Sequence, residues 1–319
     1  MKRIWVSFLL LFAVGVEGQT YPSKPIRIVV PYTPGGPADL LARGMGQKLT
    51  ETWGRQIIVE NKPGANEIIA AQDVAKSPAD GYNYLLASDA VFSLNQYLYS
   101  RLAYDPAKDF TPVSRVVTAN LMLVARTDFP ASSVRELVDY ARKNPGKINY
   151  GSVGAGGVNH LAMAWFNTLN GLDMQHVPYK GLVQGLQDIM TSRLDVMFAV
   201  IGGAAPHLKA GRMKALAVSG KSRNALIAEV PTFTAAGFPD FDASFYFGLA
   251  APAGTPRDMI ARFAAESARI VNAAEFREKY LSNLGFEPVG DTPEQFAAFL
   301  RQDRALAEKK VRASGAKLD

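Results

Sequence analysis

The chain contains no cysteine, which excludes disulfides, thiolate nucleophiles and sulfur-ligated metals. It has only three histidines, His160, His176 and His207, none at HExxH spacing and none beside a carboxylate at metal-ligand spacing, so no metal site is expected. Its basic residues are scattered, with no run longer than Lys309-Lys310 despite a net charge of +6, which argues against nucleic acid as a partner. Repeats, low-complexity tracts and Pro/Gly/Ser linkers are missing too, so a second domain is expected as an insertion and not as a tandem neighbour. What remains is an ordinary globular composition, 48% hydrophobic and 20% charged. At about 100–200 residues per domain, 319 residues predict two domains.

The N-terminus supplies a compartment. Lys2-Arg3 precede an apolar stretch from Ile4 to Val16 that holds one serine and no charge, and polar Glu17, Gln19 and Thr20 follow. The stretch is too short for a hydrocarbon core of about 30 Å and reads as a secretory signal over residues 1–20, although Val16-Glu17-Gly18 is a poor cleavage site. No lipobox cysteine follows it. A chain without thiols is at ease in an oxidising compartment, so the mature protein is expected to be exported to the periplasm.

Short β-branched runs alternate with helical patterns: Ile26–Val30, Ile57–Glu60, Tyr84–Ala87, Leu121–Ala125, Ile148–Tyr150, Val196–Ala199, Ala215–Val218 and Phe247–Ala250. That alternation predicts an α/β fold. Ser133 to Glu136 reads as a capping box, and Thr255-Pro256 and Thr292-Pro293 read as an N-cap followed by a first-turn proline. Chain crossings between the domains are expected near Val124 and Phe247.

Two glycine loops carry the functional argument. Pro34-Gly35-Gly36-Pro37-Ala38-Asp39 follows the first strand and opens a helix; Gly151-Ser152-Val153-Gly154-Ala155-Gly156-Gly157 does the same before Val158. Glycine lets the backbone approach a ligand, and unpaired N–H groups at a helix start suit a carboxylate or other anion. Asp39 could equally be a cap. Ligands of open α/β sheets sit beyond the carboxyl ends of the strands, so two such loops describe a clamshell. Enzyme motifs each fail by a residue: Tyr150 occupies the glycine position of a nucleophile elbow at Ser152, a dinucleotide fingerprint starting at Gly154 ends in Asn159, and Gly220-Lys221-Ser222 lacks the first P-loop glycine. Ser152 with His160 is the one pair from which a hydrolase-like site could be built, whereas His160 as a packing residue is the plainer reading.

The loops occur in order with Asn61-Lys62-Pro63-Gly64-Ala65, Val177-Pro178-Tyr179-Lys180-Gly181, Leu194-Asp195-Val196, Pro231-Thr232-Phe233, Ala236-Gly237-Phe238-Pro239 and Ala251-Pro252-Ala253-Gly254-Thr255-Pro256. In this the chain resembles the Bug (TctC-type) family of solute receptors of tripartite tricarboxylate transporters. The resemblance implies an α/β two-domain periplasmic-binding-protein clamshell of type II-like form. Residues 21–123 and 248–319 would make a discontinuous first domain, and 124–247 the inserted second. It further implies a monomer that is not an enzyme and has no cofactor, takes a small carboxylate in the cleft, and delivers it to membrane transporter subunits. In such receptors backbone amides and hydroxyls of the two loops hold the carboxylate. The ligand-binding set carried over is Tyr32, Thr33, Gly35, Gly36, Asp39, Asn66 and Ser88 from the first domain. From the second come Ser152, Gly154, Ala155, Gly157, Val158, His160, Tyr179, Gly181 and Asp195.

The sequence departs from the family where Asn66 and Glu67 stand in place of a glycine pair, and where Gly157 and Val158 stand in place of hydroxyl residues. Glu67 would repel a dianion if it faced the cleft, or would be a solvated helix-start acid. Tyr32, Phe92, Phe245 and Tyr246 could wall the cleft or be core. Fewer hydroxyl donors and an inward acid would favour a ligand with one carboxylate and a neutral, amine-bearing or aromatic remainder. A transport or sensing receptor, a secreted enzyme and a structural interaction protein remain the three classes, with the receptor favoured.

Overall fold

In the computed structural model the described residues are 21–220 and 222–318; the expected signal over residues 1–20 and Lys221 of the incomplete P-loop pattern lie outside them. The β-branched run Ile26–Val30 forms β1, buried along nearly its whole length because it is the middle partner of two parallel neighbours, β2 (Ile57–Asn61) and β3 (Asn83–Ser88). Between them run α1 (Pro37–Trp53) and α2 (Ile68–Ala75). After α3 (Asn95–Leu98), β4 (Phe110–Ala119) ends on the first sheet, and β5 (Leu121–Ala125) begins on the second with only Asn120 between them.

The second sheet is built from β5, β6 (Asn149–Ser152), β7 (Gln175–Pro178), β8 (Val196–Val200) and β9 (Lys214–Val218), in the order β7-β6-β8-β5-β9. Helices α4 (Val134–Lys143), α5 (Val158–Asn170), α6 (Leu182–Met190) and α7 (Ile201–Lys209) connect them. The chain returns in β10 (Phe245–Pro252), then adds α8 (Arg257–Asn272), α9 (Ala274–Phe276), β11 (Phe286–Pro288) and α10 (Pro293–Ser314). The first sheet is thus ordered β11-β4-β10-β3-β1-β2, with β10 antiparallel to both β3 and β4. One sheet is interrupted by the other.

The crossings fall at Asn120 and just before Phe245, so Val124 and Phe247, where the sequence reading put them, lie inside β5 and β10. The reason is pairing: Leu121 is already opposite Val200 in the second sheet, and Phe245 is already opposite Ala119 in the first. The pairs that fix these strands are remote in sequence. Three strands escaped the periodicity altogether. β4 carries Pro112 and Arg115 and pairs with β10 through two register shifts; β7 and β11 are short edge strands.

Two of the three helix starts expected from sequence are capped by their side chains. Ser133 Oγ accepts from Glu136 N, and Thr292 and Gln295 form a reciprocal capping box at α10. Thr255 does not cap α8. Its hydroxyl donates back to Pro252 O at 2.7 Å, and Pro256 takes the cap position instead.

Aromatic cores differ between the halves. Tyr84 stacks on Phe263 at 3.9 Å in the first, while Phe166, Phe198, Phe233 and Phe241 interlock beneath the second sheet. Phe92 and Tyr246 are core, packed with Phe296, and Tyr32 sits edge-on to Phe247 at 5.8 Å. The halves are joined by α10: Ala307 and Val311 pack with Leu94 and Leu98 of the first half and Leu161 of α5 in the second.

Candidate functional site

Parallel strands place helix N-termini at one edge of each sheet, and both glycine loops lie there. The loops are built alike. In the first, Gly36 caps α1 with extended φ/ψ of −76° and 167°; in the second, Gly157 caps α5 at −68° and 161°. The residue before each cap is a glycine in the left-handed region, Gly35 at +82° and Gly156 at +76°. Each of these donates its N–H to the side chain four residues on: Gly35 to Asp39 Oδ2 at 2.8 Å, Gly156 to His160 Nδ1 at 3.0 Å. The turn is closed in both by a 3.4 Å backbone bond, Gly36 N to Thr33 O and Gly157 N to Gly154 O.

The internal bonds use up the amides of Gly35 and Gly156. What a helix start leaves unpaired are its first-turn N–H groups, here those of Ala38 and Asp39 in α1, since Pro37 has none, and of Val158, Asn159 and His160 in α5. Such groups present the positive end of the helix dipole, which suits an anion.

Asp39 is almost wholly buried and accepts from Gly35 N, Arg43 Nε (3.0 Å) and Asn61 Nδ2 (2.9 Å). Burial pushes its carboxyl up, but the hydrogen bonds from Arg43, Gly35 and Asn61 outweigh it and hold the group below the ordinary range. Asn61 also donates to Tyr32 O, so the loop is clamped from both sides. The geometry makes Asp39 a brace for the first loop.

The second loop is braced by neutral imidazole. His160 stacks on His176 with ring centroids 4.0 Å apart, and both lie over Tyr150. Burial first, then the neighbouring His176, lowers His160 to about 4, and burial lowers His176 as well. Since Nδ1 of His160 accepts from Gly156, its proton sits on Nε2.

Ser152 does not meet His160. Its hydroxyl lies 2.7 Å from Nε2 of His176, the residue that β7 brings beside Tyr150, and 3.0 Å from Gly154 O. A carbonyl can only accept, so the serine proton goes to Gly154 and His176 Nε2–H must be the donor to Oγ. This is the reverse of a general base. With Ser152 fully buried, the pair fixes the loop and offers no activated nucleophile.

The remaining candidates separate. Asn66 is tied to α3, donating to Asn95 Oδ1 at 2.7 Å while Asn95 Nδ2 returns to Asn66 O. Asn66 and Glu67, the two residues in place of the family's glycine pair, have φ of +48° and +73°, so glycine's freedom is what that turn wants. Glu67 is not a solvated helix-start acid: it is buried in the first half and accepts from Tyr32 Oη, Ser88 N (3.0 Å) and Ser88 Oγ (2.5 Å). Burial raises its carboxyl, partly offset by those donors. Tyr32 and Ser88 are therefore committed to Glu67. Tyr179 donates to Asp188 at 2.8 Å, and Gly181 caps α6 at the same sheet edge as the second loop. Asp195 is at the other end. It precedes β8, accepts from Asn149 N and pairs with Arg126 at 2.9 Å, level with the start of β6 and not with Ser152.

Sequence reasoning missed Asn61 as a clamp, His176 as the partner of Ser152, and Asp89, whose Oδ1 is buried without a hydrogen-bond partner. Asn61 stood within a quoted motif and could have been found; His176 needed the β6–β7 pairing. Among the described residues no three His, Asp or Glu side chains gather as a metal cage, and no helix is long and apolar enough to cross a membrane.

Comparison with known proteins places this architecture. The model of the tripartite tricarboxylate transporter family receptor matches residues 41–315. A UPF0065 protein of Bordetella pertussis is 34% identical over 301 residues, 94% of this chain and 93% of that protein. Among solved structures, the R. palustris protein Rpa4515 with adipate is 32% identical with a TM-score of 0.86, covering 93% of this chain and 100% of that one. MatC from Rhodopseudomonas palustris with bound malate is 30% identical at TM-score 0.81, covering 91% and 100%. On this fold, these two loops and a family match across most of its length, the chain belongs to the tripartite tricarboxylate transporter family of receptors.

Proposed function

We propose that this chain is a periplasmic receptor, not an enzyme, that captures a small carboxylate between its two halves and delivers it to membrane transporter subunits. The observation that carries the reading is the duplicated loop: two helix starts of the same geometry, one on each sheet, each with its glycine turn held by an internal side chain and its first-turn amides left for an anion. Related structures with adipate and malate bound support the ligand class. In this reading Ala38, Asp39, Val158, Asn159 and His160 act through their backbone N–H groups, with Gly36 and Gly157 giving access. Ser152 and His176 hold the second loop, and Asp39, Asn61 and Arg43 hold the first.

The direct test is mass spectrometry of the small molecule released from the exported protein, followed by calorimetry with that compound on stripped protein. A carboxylate recovered unaltered after long incubation, with binding restored stoichiometrically, is the expected result. A Ser152-dependent product, or no carboxylate bound by either route, would overturn the receptor reading.

A further inference from the structure

Glu67, which the sequence left open between a cleft-facing acid and a solvated helix-start acid, is satisfied inside the first half; a different acid is not. Asp89 follows directly on Ser88 at the carboxyl end of β3, and it lines a cavity of about 30 Å³, room for a water-sized group. The cavity lies between the halves: Asp89 and Lys310 come from the first, Val158 and Trp165 of α5 from the second, and Asp242 and Phe245 from the returning crossing. Asp242 is already occupied, accepting from Ser244 N at 2.8 Å and Ser244 Oγ at 2.6 Å. Asp89 Oδ1 has no partner although it is shut off from solvent. A buried carboxylate oxygen left unpaired is costly, so such an atom is a position where a donor belongs.

We propose that Asp89 receives an ammonium group of the ligand, making this receptor one for amino-carboxylates rather than plain dicarboxylates. The inference rests on the carboxylate reading of the glycine loops and extends it to the other end of the ligand. Three features select a cation over a second anion. Burial first, then Asp303, pushes the Asp89 carboxyl well up, with Lys310 opposing and Glu67 adding a smaller push, so an arriving cation is what lets this group carry its charge. Trp165 is among the residues that line the cavity, and an aromatic neighbour suits an ammonium better than a second carboxylate. Val158 is shared between the two ends: its N–H belongs to the free first turn of α5 and the residue also lines the cavity. With Val158 and Asp89 lining one cavity, a ligand whose carboxylate sits on the α5 amides would reach Asp89 through a short chain.

The test is calorimetry on stripped, full-length mature protein with matched series of short ligands: alkanoates, the dicarboxylates of the same chain length, and the corresponding ω- and α-amino acids. Wild type should prefer the amino acid over the alkanoate of equal length by roughly ten- to a hundred-fold, the loss expected for one charge-assisted hydrogen bond. Asp89→Asn, which keeps shape, should abolish that preference and leave alkanoate affinity unchanged, with an unaltered melting temperature excluding misfolding. Asp89→Leu serves as the second variant and should bind alkanoates at least as well as wild type. Dicarboxylates binding tightest to wild type, or a preference for amino acids that survives in both variants, would overturn the proposal while leaving the carboxylate reading intact. No binding by any member of the series would remove both.

Discussion

The two glycine loops are the same device with different chemistry in the brace. Each sets a left-handed glycine before a cap glycine and pins its N–H to the side chain at the third position of the helix. In the first loop that side chain is a carboxylate held by Arg43 and Asn61; in the second it is an imidazole held by stacking on His176. The first is charged and cross-linked by three donors. The second is neutral, and its hold ends when the acceptor nitrogen is protonated. One half of the receptor is thus fixed across the pH range of carboxylate ionisation, and the other is fixed only while a histidine stays neutral.

The sharpest way to break this comparison is to remove both braces separately. Asp39→Ala leaves Gly35 N without its acceptor and removes the bonds from Asn61 and Arg43, which keep Tyr32 O and Asn61 Oδ1 as partners, and should cost about 2 kcal/mol in urea unfolding, with carboxylate affinity lost in parallel. His160→Ala removes one acceptor and a stacked ring and should cost about 1 kcal/mol. Equal losses would mean that the braces are equivalent and that charge contributes nothing.

Acid distinguishes them next. His160 is held near 4 in the folded chain, below an unfolded value of 6.5, so the unfolded state binds more protons between those values. Stability therefore falls as pH drops from 6.5 towards about 4, by an amount on the order of 2 kcal/mol. Asp39 shifts in the same direction but in a lower window: its carboxyl is held below the usual carboxylate value, so its contribution persists through the histidine window and is lost only as pH falls further. Melting temperatures of wild type and His160→Gln across the window check this; the variant should show the shallower slope, and parallel slopes would remove His160 as the titrating brace.

Within one loop, Gly35 and Gly36 should behave differently. Gly35 at +82° should cost about 1–2 kcal/mol when replaced by alanine. At Gly36 the backbone is extended and an added Cβ would meet Thr33 O at 3.5 Å, an ordinary contact, so Gly36→Ala should fold as wild type. Any affinity lost in Gly36→Ala then reports ligand approach alone, and unchanged affinity would place the ligand away from this turn. The smallest effect is expected at Asn66→Gly, where relief of a left-handed φ offsets the lost bond to Asn95, leaving stability within about 0.5 kcal/mol of wild type by thermal melting.

Much of the fold was legible because its signals are local. β5 and β8 are continuous apolar runs inside the second sheet, β1 and β3 are largely apolar runs inside the first, β2 begins with three β-branched residues, and Ser133 and Thr292 cap their helices through bonds spanning three residues. β4 was not legible, because its proline and arginine are tolerated by two register shifts against a partner more than a hundred residues away. Thr255 misled for a related reason: its hydroxyl found a nearer acceptor in Pro252 O. In the site, both braces span only four residues, but the same local spacing fits a cap or ligand group at Asp39 and a packing ring or base at His160, and only the folded loops select the brace.

By itself, then, the sequence determined the alternation of strand and helix, the two glycine turns at helix starts, and the family, all of which rest on spacings of a few residues or on ordered motifs. Tertiary structure decided which acid is free and which histidine meets Ser152. Glu67 and Asp89 are both acids near the end of one strand, but only the pairing of β1 beside β3 brings Tyr32 and Ser88 around Glu67 and leaves Asp89 Oδ1 alone. His176 reaches Ser152 because β7 lies parallel to β6, a neighbour chosen by the burial of a whole sheet. Hydrogen-bond partners between strands follow sheet order, and sheet order is set by the sum of long-range packing, which no local spacing records.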